Sequence, residues 1–418
     1  MLSTNRMSDS YPLLRLTVAL LLMTLGGSAM YASVMVLEPV TREFATSRAV
    51  GSLLYATFMI GYGLGGVVMG RLADRVGILV PATIGSLALP AGLVMAANAG
   101  SIAEFCLALG LLCGFLGASF TFAPLVSDIS HWFTARRGIA VGIVLCGSYV
   151  AGAIWPPILQ HFFDAQGWRA TFSDLALLTF CTMLPLSAIL YRRPPIDASE
   201  TPAGITRNPK RPLAMAPGSL QCLICAAGIG CCVAMATPQV HIVPFVIDLG
   251  HPAARGAEML ALMFGCGIIS RVGSGWLSDR IGGLRTLLLG SMLQALVLFA
   301  FLAADDLLVL YAVSAAFGLS QGGIVPSYPI ILRTFFPATE AGWRIGTTLL
   351  FTIVGMACGS WLAGALHDLT GSYTASFLGA ITFNVLNLII VVGLLKRAHT
   401  LTTTAASTSA SKLNRLEG

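Results

Sequence analysis

Charge is scarce in this chain. Of its 418 residues, 10% are Asp, Glu, Lys or Arg and 56% are hydrophobic, whereas a soluble domain carries about 25% charged residues. That shortage excludes a fold with water on all sides, and lipid is the expected solvent. Strand-like alternation is missing too. An open sheet cannot cross hydrocarbon with its backbone groups unpaired, so spans must be helices or a closed barrel. A barrel needs strands of ~10 residues with alternating polarity, yet 16–37 and 105–126 run without a charge or any such alternation. The expected class is all-α and membrane-embedded. A basic cluster is also absent: the net charge of +6 comes from dispersed residues, not the clustered face a nucleic-acid binder needs. The ten cysteines are scattered through apolar runs, and Cys222 with Cys225 forms one isolated CxxC. With no second pair or histidine at metal-site spacing, they read as small packing residues, and neither metal nor cofactor is expected. GxxxxGK[ST] and HExxH are lacking, and the GxSxG match Gly318-Leu319-Ser320-Gln321-Gly322 falls inside the apolar 307–331 run, not on a strand-to-helix nucleophile elbow. An enzyme is not expected, and without a nucleotide site any work must draw on an ion or substrate gradient.

What is present is a series of apolar runs of the ~20 residues that a helix needs to cross a bilayer. They place spans near 13–37, 50–69, 79–97, 102–126, 138–161 and 172–191, then 219–247, 257–276, 284–303, 307–331, 342–366 and 374–395. The first run is too long for a signal-peptide core and reads as a retained span. The organisation is a 1–12 amino terminus, a 13–191 six-helix bundle, a 192–218 linker, a 219–395 six-helix bundle and a 396–418 tail. The linker holds six prolines and five basic residues and cannot span. The Thr/Ser/Ala-rich tail is expected to be disordered. With both termini cytoplasmic, only Arg42, Arg48, Arg169 and Arg255 fall outside and Arg271 within the membrane. The other 19 of 24 basic residues then lie inside, as the positive-inside rule requires.

The most specific signal is an internal repeat. Gly70-Arg71-Leu72-Ala73-Asp74-Arg75-Val76-Gly77 recurs 205 residues later as Gly275-Trp276-Leu277-Ser278-Asp279-Arg280-Ile281-Gly282. Gly138 pairs with Gly342 and Gly167 with Gly371 at an offset of 204. Such a register implies two six-helix halves in parallel repeat. Both octets fall in the loop after the second span of a half. Gly70, Asp74 and Arg75, with Gly275, Asp279 and Arg280, are candidates for a latch that forms in one conformation and releases in another. An ordinary charged turn is the competing role.

The octets resemble the signature loop of the major facilitator superfamily, although the first copy continues Ile78-Leu79 without that family's trailing basic residues. Further motifs narrow the resemblance: Trp132-Phe133, Arg136-Arg137-Gly138-Ile139-Ala140, Trp155-Pro156-Pro157 and Gly167-Trp168-Arg169 in the first half, Pro326-Ser327-Tyr328-Pro329 and Asp368-Leu369-Thr370-Gly371-Ser372-Tyr373 in the second. These are similar to the branch of oxalate/formate antiporters and monocarboxylate transporters. The resemblance implies twelve helices, a small organic anion as substrate, and a substrate-binding Arg in the eighth span.

Arg271 stands at that place. The first half has Gly66 at the equivalent position, so the repeat is broken there. An Arg within the membrane costs at least ~2.5–3.5 kcal/mol and should face a water-filled cavity and hold an anion. Its guanidinium suits a carboxylate through two parallel hydrogen bonds; a gating or structural pair is the alternative. Some members of the branch carry an aspartate one turn earlier, where this chain has Gly267. The eleventh span offers only Arg344, near its cytoplasmic end, so one deep cation favours a monoanion. Tyr31, Phe120, Phe122, Gln321 and Tyr328 could complete the pocket, with helix packing as the competing role for each. His241 is the proton-coupling candidate, against a hydrogen-bonded wall residue. Glycines at helical spacing, such as Gly61 with Gly65, read as helix packing. The expectation is a secondary transporter of a monocarboxylate in a bacterial inner membrane, one chain sufficing. Efflux of drug-like compounds on the same fold is the alternative; a transporter-like receptor would need a signalling domain that the 192–218 linker and tail are too short to hold.

Overall fold

The computed structural model is all-helical and has twelve helices long and apolar enough to cross a membrane: α1 Tyr11–Met35, α2 Arg48–Ala73, α3 Leu79–Ala97, α4 Ile102–Ile129, α5 Ala140–Gln166, α6 Trp168–Tyr191, α7 Pro217–Asp248, α8 Ala253–Ile281, α9 Gly283–Phe301, α10 Leu307–Phe335, α11 Trp343–Thr370 and α12 Tyr373–Thr400. The structure describes residues 4–133, 137–192, 213, 215–336 and 338–414, without the side chains of 4–10, 74, 130, 137–139, 338–339, 341–342 and 401–414. Most of the expected linker (193–212 and 214), Arg136, and the side chains of Arg137 and Asp74 therefore lie outside the described residues. The last helix continues past its span to Asn414, into the segment assigned to a disordered tail. Because the number of spans is even, both chain ends lie at one end of the bundle. We call that end proximal and the other distal.

The apolar surface sorts as a lipid-facing protein requires. Leu296, Ile389, Leu177 and Val272 are exposed, since lipid tails solvate them at no cost, while small residues let the helices close on one another. A Cβ at Gly61 or Gly65 of α2 would overlap the carbonyls of Gly110 and Phe115 in α4. The second half repeats the device: Gly318 of α10 lies against the Met263 carbonyl of α8.

The repeat is visible in the backbone. Gly77 and Gly282 end the two octets at φ +92° and +84°, and each N–H caps its helix by donating to Ala73 or Ser278. Only glycine takes this conformation without strain. Gly167 and Gly371 match in the same way, at φ +80° and +69°. Helices α4 and α10 both depart from α geometry near the same point of the repeat. In α4, a π-helical stretch Ala108–Gly117 and a 3₁₀ turn Ala118–Thr121 precede Ala123. In α10 the break falls at Gly322-Gly323.

At the proximal end, Arg15 of α1 is fully buried and holds Asp128 of α4 through Nε (2.7 Å) and Nη2 (2.8 Å). Its Nη1 donates to the Tyr11 hydroxyl and to the carbonyls of Leu190 and Arg192. At the distal end of the first half, Trp168 Nε1 and Arg169 both donate to Glu43 (2.7 and 2.6 Å). Burial pushes the Glu43 carboxyl up, but these hydrogen bonds outweigh it and hold it below the usual carboxylate range.

Candidate functional site

Arg271 lies half-buried on α8, facing α5 of the first half. Its guanidinium sits 4.1 Å from the ring centre of Tyr149, and Nη1 donates to the Leu145 carbonyl at 3.2 Å. Its Nε is buried without a partner. A cation held by one neutral carbonyl and a ring face is under-coordinated, because a guanidinium carries five N–H donors. One turn earlier, Gly267 packs on Tyr149 so closely that a Cβ would overlap the ring. The glycine noted in sequence therefore has a steric cause: this position gives its space to Tyr149.

Phe264, one turn further along α8, is the hub of an aromatic junction. Tyr149 meets it edge-on at 5.6 Å and Tyr31 of α1 at 5.1 Å. The Tyr31 hydroxyl donates to the Ser148 carbonyl at 3.2 Å, and a Cβ at Gly152 would collide with Phe264. Arg271 and Tyr31 thus belong to one constellation joining α1, α5 and α8. Tyr149 and Phe264 complete it; neither is distinguishable in sequence from other membrane aromatics.

The other pocket candidates lie elsewhere. Phe122 faces Tyr62 of α2 at 6.3 Å. Phe120 is fully buried inside the first half, against Gly85 of α3. Gln321 is buried at the α10 break, where its Oε1 accepts from Gln239 of α7 at 2.5 Å and its Nε2 has no partner. Tyr328 is fully buried with its hydroxyl 3.1 Å from Cys231 Sγ. Of the octet residues, Arg75, Asp279 and Arg280 are exposed, and Arg280 stacks over Trp276 at 3.8 Å. Gly70 and Gly275 have open space where a Cβ would be.

His241 lies on α7 toward the distal end. Its Nε2 is 2.8 Å from the Ser360 carbonyl and its Nδ1 is 3.0 Å from the Tyr373 hydroxyl. Since a carbonyl only accepts, Nε2 carries the hydrogen and Nδ1 accepts from Tyr373. Ser52 of α2 adds a contact at 3.3 Å.

Above His241 is a cluster that sequence reading did not assemble. Arg48, at the start of α2, donates to both carboxylate oxygens of Asp248 at the end of α7 (2.5 and 2.6 Å). Its Nη1 is also 2.9 Å from His367 Nε2 on α11. Asp368 accepts from the backbone N–H groups of Arg48 and Ala49 (3.0 and 2.7 Å), so a side chain of the second half caps a helix of the first. In the sequence, Arg48 stands out only as a basic residue outside the membrane and Asp368 and Tyr373 only as parts of one motif; nothing joins them to Asp248 and His367 across as many as 320 residues.

The model of the Major Facilitator Superfamily matches residues 17–307 and again 222–416. Monocarboxylate transporter 13 of Rattus norvegicus is 26% identical over 336 residues, covering 80% of this chain and 76% of that protein. Monocarboxylate transporter 11 of Mus musculus is 28% identical over 374 residues, covering 85% and 80%. The MFS-type transporter opdF of Penicillium oxalicum is 27% identical over 322 residues, covering 75% and 73%. Among solved structures, a bacterial homolog of the human lysosomal transporter Spinster, inward-facing and unoccupied, superposes with a TM-score of 0.72 at 14% identity, covering 94% of this chain and 98% of that one. That likeness concerns the fold alone. Family and fold are those of membrane transporters, not enzymes, and the chain belongs to the major facilitator superfamily.

Proposed function

We propose that this chain is a secondary transporter that moves a small organic anion, a monocarboxylate, by alternating access between its two six-helix halves. The bias of Lys and Arg supports cytoplasmic termini, with the distal end facing outward across a cell inner membrane, and a single chain suffices. The observation that carries the reading is Arg271: a half-buried guanidinium between the halves, with Nε unpartnered and one neutral carbonyl as acceptor. A carboxylate would supply the missing acceptors in two parallel bonds, with Tyr31, Tyr149 and Phe264 enclosing its apolar body. Phe122, Gln321 and Tyr328 then serve the lining or the helix breaks of α4 and α10, and Phe120 supports them from within the first half. The octets of Gly70, Asp74, Arg75 and Gly275, Asp279, Arg280 act as the proximal latch. Relatives named monocarboxylate transporters support the substrate class.

One observation favours a second reading. The Arg271–Leu145 hydrogen bond crosses from the second half to the first, as a gating contact would, and an efflux transporter could use Arg271 for that alone. Uptake of radiolabelled lactate into proteoliposomes, for wild type, Arg271→Lys and Arg271→Gln, separates the two. Substrate anchoring predicts uptake in wild type and a fall of at least ~10-fold in Arg271→Gln, the loss of one charge-assisted contact. Folded wild type that transports no carboxylate, yet exports organic dyes regardless of residue 271, would replace this reading with efflux.

A further inference from the structure

The Arg48 cluster has a composition that the transport reading does not use. Within the first half, Ser47 caps α2 by accepting from Val50 N–H, but every second-half acceptor that holds Arg48 and the start of α2 can bind a proton. Asp248 takes both arms of the guanidinium, Asp368 takes the two backbone N–H groups, and His367 Nε2 takes the remaining Nη1 contact. These acceptors come from α7 and α11, while what they hold belongs to α2. Beneath them the seal continues: the Ser360 hydroxyl faces the Ser52 carbonyl at 3.4 Å, and a Cβ at Gly364 would sit 2.8 Å from the Arg48 carbonyl. Among the described residues, the cross-half hydrogen bonds and ion pairs of the distal end belong to this clasp; Arg271–Leu145 lies away from it.

Water reaches the cluster through a distal depression of about 280 Å³, lined by Glu38, Arg42, Ser47, Arg48, His367 and Asp368. The other groups facing Arg48 are Glu38 at 3.8 Å, itself paired to the exposed Arg42, and the Tyr373 ring at 5.3 Å. Tyr373 in turn packs on His367 and binds His241.

We propose that the clasp is a proton-binding site whose occupation opens the distal gate. The proposal rests on the alternating-access reading above and adds the ligand, a proton from the distal side, and the sign of its effect. That sign is set by the geometry. A protonated Asp248 loses the charge that attracts Arg48, and a protonated Asp368 no longer balances the positive end of α2. A proton on His367 Nε2 removes the lone pair that accepts from Arg48 and puts two cations in contact. It also strengthens the 3.2 Å contact to Asp248, which draws that carboxylate away from Arg48. Acid therefore weakens the joint between the halves at each acceptor.

The test reads the gate, not transport. Ser360→Cys is a near-isosteric change at a fully buried position below the clasp, and Leu369, 81% exposed on the same end, takes the reference change Leu369→Cys. Each is introduced into the full chain in nanodiscs and treated with a membrane-impermeant maleimide, with labelling of the parent's own cysteines subtracted. Dividing the labelling rate at position 360 by that at position 369 cancels the pH dependence of thiol reactivity. The ratio is expected to rise at least ~10-fold between about pH 7.5 and about pH 5.5, since one lost charge-assisted contact shifts a two-state population by about that factor. Asp248→Asn with Asp368→Asn, which mimics the protonated carboxylates, should show the high ratio already at the upper pH. His367→Gln keeps an acceptor toward Arg48 but cannot be charged, and should flatten the pH response. A ratio unchanged by pH in monodisperse protein overturns the proposal, even if the Asn pair raises it, because the joint would then hold the gate without responding to a proton. Because no substrate is present, failure of lactate transport leaves this readout intact, and the two claims fall separately.

Discussion

Asp128→Ala should be among the most destabilising single changes in the first half. Arg15 is fully buried and gives Nε and Nη2 to that one carboxylate. Removing it leaves two charged donors without acceptors in a site that water does not reach. Breaking a buried pair on one side costs about 3–5 kcal/mol, most of it for the stranded charge. Two features hold the loss near the lower figure: Nη1 keeps the Tyr11 hydroxyl and two carbonyls, and the Trp132 ring, 4.8 Å away, retains its cation–π attraction. A loss of ~3 kcal/mol in a chain of this size lowers the melting temperature by roughly 3–4 °C, which size-exclusion after heating in nanodiscs resolves. The control is the double variant Arg15→Met, Asp128→Leu. Replacing both charges with apolar side chains of similar volume removes the desolvation cost together with the attraction, so it should melt within about 1 °C of wild type or above it. An Asp128→Ala variant that melts with wild type, or a double variant worse than the single, would refute the assignment of the cost to a stranded charge.

Gly267→Ala puts a methyl group into the ring of Tyr149 and must move that ring away from Arg271 and Phe264. Expression should hold while lactate uptake falls ~10-fold, the scale of a misplaced binding group; unchanged uptake would remove Tyr149 from the site. The Glu43 clamp makes a prediction about pH. The folded-state carboxyl lies below its usual range, so its stabilisation is fully present above the unfolded-state value of about 4.3 and is lost as pH falls through the folded value. Glu43 and Arg169 are each about 40% exposed, so the contribution is at most ~1 kcal/mol. Arg169→Gln should narrow the difference in melting temperature between about pH 6 and about pH 3, and an unaltered difference would assign that acid sensitivity to other groups.

Those sites differ in how far they could be read in advance. The twelve spans agree with the apolar runs to within a few residues, because the roughly 30 Å of hydrocarbon imposes one length on every helix. Arg271 was legible because a charge in a span is costly wherever its partner lies. Its neighbours were not, since Tyr149 and Phe264 matter only through the way α5 meets α8. Asp128 escaped notice because, near a helix end, a carboxylate reads as solvated until Arg15 is found 113 residues away. Phe120 and Tyr328 are aromatic residues at helical spacing, and nothing in one sequence says which side of a helix faces a neighbour.

The two halves also show how a duplicated fold comes to be tied at one edge. Asp164-Ala165-Gln166-Gly167 of the first half corresponds to Asp368-Leu369-Thr370-Gly371 of the second, and both glycines keep their positive φ. The aspartates have diverged in use. Asp164 accepts from Gln160 of its own helix at 2.8 Å, whereas Asp368 reaches across to cap α2. Arg255, near the start of α8, pairs with Glu258 of its own helix, whereas Arg48, at the start of α2, grips the opposite half. After the glycine, Trp168 and Arg169 clamp Glu43 inside the first half; the second half places Tyr373 there, under Arg48 and bound to His241. Among the described residues the α2–α11 edge thus carries a polar joint that has no counterpart between α5 and α8 at the same end. A joint at one edge can be released by protonating three neighbouring groups at one site. Two symmetric joints would need the same event twice, so losing the second makes proton control of the gate a local matter.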